Sequence, residues 1–297
     1  MQTLAEIKLL LAARGLAPRK SLGQNFLIDH NLIRKLVDAA GVGPGSLVLE
    51  VGPGTGALTG ELLDRGCRVI ACELDRGLAE LLRERFSAPP DLANRFTLIE
   101  ADCLGPARRL APEIIEALTT PSPSSNPKSA IQNPKSPFSL IANLPYNAAT
   151  PLMLALLMDH PECRGLFVTI QREVADRILA KPGTKDYGTL GIVSQALATP
   201  ARIANLPAEC FWPRPDVAST MLSLIRREEP ATSDPRALAE FCQRLFSARR
   251  KQLGGTLKGD PGLAAGWPEG ILPTMRAEEL TVAQIVRLSQ AVQPPIR

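Results

Sequence analysis

The chain has 297 residues, 45% hydrophobic and 4% aromatic, with a formal net charge of +4. That is enough for a large α/β domain plus a smaller one, and the mild basicity permits a nucleic-acid partner without requiring one. No apolar run reaches the ~18 residues a membrane helix needs. Residues 1–15, interrupted by Glu6, Lys8 and Arg14, lack a signal peptide's apolar block, so no membrane partner and a cytoplasmic location are expected.

In chain order, Leu4, Ile7, Leu10 and Leu11 have helical spacing, and Asp29 or His30 opens a second helix that stops at Gly41. Short apolar strands are predicted at 47–51, 68–72, 96–100, 139–142 and 166–170, with helices at about 57–65 and 78–86 between them. Strands alternating with helices predict a parallel sheet covered on both faces. Residues 119–137 (TTPSPSSNPKSAIQNPKSP) are rich in Pro, Ser and Asn and nearly devoid of apolar side chains. They are expected to form a flexible surface insertion. A polar, two-proline stretch at 228–235 reads as a linker. Helical patterns at 237–257 and 277–292 follow it. The expected division is therefore a domain over 1–227 and a helical C-terminal domain over 233–297.

The six cysteines (Cys67, Cys72, Cys103, Cys163, Cys210 and Cys242) show no CxxC spacing and read as reduced core residues. His30 and His160 have no metal-ligand partners at useful spacing, so no metal is expected.

Four strand ends carry the chemistry. Gly52, Gly54 and Gly56 follow the 47–51 strand and lead into a helix, a turn that lets backbone approach a ligand. No Lys-Ser/Thr follows, which argues against a phosphate loop, and the G-x-G-x-G spacing departs from the dinucleotide fingerprint. Glu50, just before the loop, would repel a pyrophosphate and suits a ligand with a cationic amine and sulfonium. Glu73 ends the second strand, where a carboxylate can accept both ribose hydroxyls. Asp102 closes the third and could accept an adenine amine. Asn143-Leu144-Pro145-Tyr146 ends the fourth. There the Asn143 oxygen and a backbone carbonyl could hold the hydrogens of an amine, leaving its lone pair aimed at a methyl donor. Pro145 stiffens the turn, and the Tyr146 ring could stack on a flipped-out base.

KSLGQNFL (20–27), LEVGPGTGALT (49–59), ELD (73–75), NLPYN (143–147), QREVADR (171–177), Tyr187-Gly188 and FWPRPDV (211–217) occur in that order. As an ordered set spanning nearly the whole chain they resemble the ribosomal RNA adenine dimethyltransferase family, most of all its small-subunit members. The resemblance implies a Rossmann-like S-adenosylmethionine methyltransferase domain with a small helical C-terminal domain. The reaction it implies is N6,N6-dimethylation of adenine in small-subunit (16S) ribosomal RNA, within an assembly particle and by a monomer. By motif it implies donor contacts at Asn25, Leu27, Gly52, Gly54, Glu73, Asp102 and Asn143. It also makes Phe211 a second stacking wall opposite Tyr146, and places residues 171–177 at the RNA cleft. Arg249, Arg250 and Lys251, with Arg244 nearby, are candidate phosphate contacts. Three features depart from the family pattern: Ala218, Ala148 with Ala149, and the 119–137 insertion. Two rival readings stay open, a large-subunit adenine dimethylase and a non-catalytic RNA-binding assembly factor on the same scaffold.

Overall fold

Leu47–Val51 (β2) is buried along its whole length, as befits a central strand covered on both faces. In this computed structural model, which describes residues 2–120 and 136–292, β2 pairs in parallel with Arg68–Glu73 (β3) on one side and Phe138–Asn143 (β5) on the other. Phe96–Glu100 (β4) extends the sheet beyond β3, and Cys163–Gln171 (β6) extends it beyond β5, both in parallel. Two further strands, Ala198–Leu206 (β7) and Ser219–Arg226 (β9), complete the order β4-β3-β2-β5-β6-β9-β7. A separate small pair joins Phe26–Leu27 (β1) to Phe211–Trp212 (β8), antiparallel.

The chain leaves β2 toward β3 on one side and returns to β5 on the other. The carboxyl ends of these neighbours therefore diverge, and a crevice opens there. Helix α2 (His30–Ala40) starts where Asp29 accepts from the amides of Asn31 and Leu32, and it stops at Gly41, whose φ of 61° suits a residue without Cβ. Helix α3 (Ala57–Asp64) follows the glycine loop, and α4 (Arg76–Leu82) is capped by Asp75. Ile33, Leu36, Leu62, Leu82, Val48 and Val69 join one apolar cluster, so these helices bury their faces on the sheet.

The chain separates into two compact units, residues 1–172 with 201–224, and residues 173–200 with 225–297. Residues 173–200, which the sequence reading places in the first domain, thus group with the C-terminal residues. The reason is apolar packing. Ala180, Tyr187, Ile192 and Ala196 share a buried cluster with Leu238, Phe241 and Leu245 of the helix Pro235–Ser247 (α10). The Tyr187 hydroxyl also donates to the Leu280 carbonyl at 2.9 Å.

Residues 237–257, expected to be helical, are interrupted: α10 ends at Ser247 and a short helix, Leu253–Thr256 (α11), follows. The last helix, α12, is Val282–Val292. Of the insertion expected at 119–137, residues 121–135 lie outside the described residues. Among the described residues no helix is long and apolar enough to cross a membrane. No cluster of His, Cys, Asp and Glu among them could hold a metal ion. All six thiols are free, and five are buried.

Candidate active site

A cavity of about 410 Å³ opens in the first unit at the carboxyl ends of β2, β3 and β5, within the size range of small-molecule sites. Its lining includes Asn25, Leu27, Gly52, Gly54, Glu73, Asp102 and Asn143, together with Leu144, Pro145 and Tyr146. Residues scattered over the first half of the sequence are thus brought to one place by the sheet.

Two walls require glycine. Gly52 has φ 70°, and a Cβ there would lie 3.0 Å from the Pro145 ring. Gly54 has φ 61°, and a Cβ would lie 2.8 Å from the Phe26 ring. The loop therefore folds tightly against both neighbours, in a backbone region that side chains disfavour.

Glu73 is buried, and each of its oxygens accepts a backbone amide: Oε2 from Gly54 at 3.1 Å and Oε1 from Asp75 at 3.0 Å. Burial raises its pKa, and those amide bonds act in the opposite direction. A carboxylate offers about four acceptor sites, so capacity remains for two ligand hydroxyls. Glu50 is 1% exposed yet borders the cavity, and Thr59 Oγ1 donates to its Oε2 at 2.7 Å. Burial pushes its carboxyl up to about 8, and the nearby Glu73 adds to the rise. A positively charged ligand would offset both effects.

Asn143, half-buried at the end of β5, donates from Nδ2 to the Asn25 carbonyl at 2.8 Å. One of its two N–H donors is thereby committed, and the carboxamide oxygen is left as the side chain's acceptor. The Asn25 side chain turns back to the Gly23 carbonyl at 3.2 Å. The neighbouring Gln24 bonds Asp75 Oδ2 at 3.2 Å, which ties the 19–27 segment to the start of α4. Leu144 is buried, its amide bonded to the Thr169 carbonyl at 3.1 Å. Tyr146 opens the helix Tyr146–Asp159 (α7), with its hydroxyl 2.7 Å from Ser219 Oγ.

The remaining expected residues are placed differently. Asp102 is exposed at the cavity edge, and its Oδ1 accepts the Leu104 amide. Phe211, expected as a wall facing Tyr146, is 3% exposed and does not line the cavity; pairing with Leu27 across β1–β8 draws it into the core. Ala148 borders the cavity, whereas Ala149 is buried. In the second unit the Arg249 guanidinium bonds Glu278 and the carbonyls of Thr184 and Lys185. Three of its five N–H donors are thus committed internally. Arg244 pairs with Asp260 at 3.3 Å, and Arg250 and Lys251 are exposed.

Sequence reasoning missed Gln24, Ser219 and Arg108. Arg108 borders the cavity from a left-handed backbone position, φ 55°. Nothing local in the sequence marks Ser219.

A switch-point cavity with a glycine loop, an acid at the loop mouth and a buried acid after the second strand defines the class. It is a Rossmann-like, S-adenosylmethionine-dependent methyltransferase, and the donor set suits that cationic ligand. The model of the ribosomal RNA adenine dimethylase family matches residues 15–293. The chain is 37% identical over 294 residues to ribosomal RNA small subunit methyltransferase A of Streptomyces avermitilis, covering 96% of this chain and 92% of the relative. It is 36% identical over 301 residues to the protein of that name from Geobacillus thermodenitrificans, covering 98% and 96%. Among solved structures, a dimethyladenosine transferase from Plasmodium falciparum superposes with a TM-score of 0.66 at 22% identity, covering 89% of this chain and 95% of that one. The 23S rRNA methyltransferase ErmE gives 0.58 at 24%, covering 90% and 99%. Those two likenesses speak to fold alone. The chain belongs to the ribosomal RNA adenine dimethylase family.

Proposed function

We propose that this chain dimethylates the exocyclic N6 amine of adenine in small-subunit ribosomal RNA, acting as a cytoplasmic monomer on an assembly particle. The observation that carries the reading is the Asn143 carboxamide, held at the cavity by its bond to the Asn25 carbonyl with its oxygen left to accept. S-adenosylmethionine, when bound, supplies a methyl group on a sulfonium, which leaves as a neutral thioether.

Glu73 would hold the ribose hydroxyls of that donor, Asp102 its adenine amine, and Glu50 would favour its positive charge. Gly52 and Gly54 keep the loop low enough for the donor to lie against backbone. Asn143 Oδ1 and the Leu144 carbonyl would accept the two amine hydrogens of a flipped adenine, aiming its lone pair at the methyl carbon. The methyl group would pass from sulfur to the amine nitrogen so aimed, and the amine would release a proton to solvent. No strong general base is needed; positioning and fixed dipoles carry the rate. The Tyr146 ring would stack on the base. Arg250 and Lys251, both exposed, would contact RNA phosphates.

The relatives named for the small subunit, matched over 96% of this chain, favour that target over the large subunit. Mass spectrometry of rRNA from a deletion strain tests the reading. Loss of dimethyladenosine from small-subunit RNA is expected; loss confined to large-subunit RNA, or no loss, overturns it.

A further inference from the structure

The Tyr146–Ser219 hydroxyl pair lies outside the reaction as derived above. Ser219 is 1% exposed at the start of β9, and Tyr146 stands at the cavity, half-buried, at the first turn of α7. The two oxygens are 2.7 Å apart across 73 residues of sequence. The phenol oxygen lies on the ring's long axis, so a bond to it holds the first side-chain torsion and with it the place where the ring stands. Without Ser219 the residue would keep its place in the chain but lose the anchor that holds its ring's long axis. Burial raises the Tyr146 pKa while the serine bond lowers it, so the phenol is neutral under physiological conditions and the contact is an ordinary hydroxyl pair.

We propose that Ser219 is a positioning residue that, through the Tyr146 hydroxyl, holds the ring at the place where the target base stacks, and that this hold matters most for the second methyl transfer. The inference rests on the proposed function. Before the first transfer the amine has two hydrogens for two acceptors, Asn143 Oδ1 and the Leu144 carbonyl. After it, one hydrogen remains and one of those bonds is gone. Stacking then carries more of the alignment, and a ring free to tilt lets the monomethyl product leave.

Two variants remove the same bond from opposite ends while keeping the ring, Ser219→Ala and Tyr146→Phe. With saturating S-adenosylmethionine and small-subunit particles from a strain lacking the enzyme, single-turnover products are resolved by mass spectrometry of nucleosides. Each variant is expected to raise the ratio of monomethyladenosine to dimethyladenosine by about five- to tenfold at matched total methylation, the scale of one neutral hydrogen bond. The double variant is expected to match the singles. A merely structural role would lower the active fraction and leave that ratio unmoved. An unchanged ratio in both single variants, or an effect that multiplies in the double variant, overturns the role of Ser219. Wild-type protein that methylates no adenine in the particle defeats the proposed function instead.

Discussion

The Asn143 side-chain amide donates to the backbone carbonyl of Asn25 at 2.8 Å, so the segment before α2 sets the rotamer of a residue at the end of β5. This explains why asparagine serves here better than a plain acceptor would. Asn143→Ala is expected to lower the single-turnover rate by ~100-fold, the scale of a misplaced reacting group, with particle affinity retained. Asn143→Asp should lose at least as much, because it turns a carboxylate oxygen toward the Asn25 carbonyl. Single-turnover assays at saturating donor check both; an Asp variant near wild-type activity would contradict the role of the bond.

With the donor role proposed for it, Glu73 would couple donor binding to the shape of the glycine loop, since one of its oxygens holds the Gly54 amide. Glu73→Ala should weaken S-adenosylmethionine binding by roughly 1.5–3 kcal/mol, the range for hydrogen bonds to a charged group. RNA affinity should change little. Calorimetry with donor, set beside filter binding with RNA, separates the two; unchanged donor affinity would sink the assignment.

Glu50 should make both stability and donor affinity depend on pH. Burial raises its carboxyl from an ordinary 4.5 to about 8, so between those values the folded protein holds a proton that the unfolded chain releases. Stability therefore falls as pH rises through this window, by at most ~1.4 kcal/mol per unit for one proton. A cationic ligand favours the ionised form, so donor binding should expel the proton, and affinity should rise with pH toward about 8. In Glu50→Gln both slopes from this group vanish. Denaturant melts and calorimetry over a pH series read them directly, and identical slopes in the two proteins would refute the coupling.

The basic run divides into two kinds of residue. Arg249→Ala should destabilise the second unit by roughly 1.5–3 kcal/mol, because a charged donor is withdrawn from Glu278 and from two carbonyls. Replacing Arg250 and Lys251 with alanine should leave the melting temperature nearly unchanged. It should flatten the salt dependence of RNA affinity by about one unit per lost contact. A salt series on each variant distinguishes them; a wild-type slope in the double variant would exclude those two residues from the interface.

Much of the cavity lining was legible in the sequence because its signals are local. The glycine loop, Glu73 and the Asn143 turn each sit where an apolar strand stops, and a parallel sheet brings such ends together without further information. Residues 198–226 were harder. Strand β7 contains Pro200 and exposed polar residues, as a strand at the sheet edge can. In β9, Met221, Leu222 and Leu224 are all fully buried, so no alternation marks it as a strand. The surroundings of Phe211 and Arg249 were hidden for one shared reason: their partners, Leu27 and the 184–185 carbonyls, lie far away in sequence.

The long reach of the two hydrogen bonds made by Asn143 and Tyr146 at the cavity has a consequence for how the enzyme comes into being on the ribosome. Asn25 and Asn143 are 118 residues apart, and Tyr146 and Ser219 are 73 apart. Contacts of such separation form late, after loop closure has been overcome. A nascent chain synthesised through β5 already carries every residue assigned to the donor, but Tyr146 acquires its anchor only once Ser219 has emerged and β9 has joined the sheet. With the roles proposed for Tyr146 and Ser219, competence for the full reaction would be deferred until β9 is made, a timing written into the order of the strands.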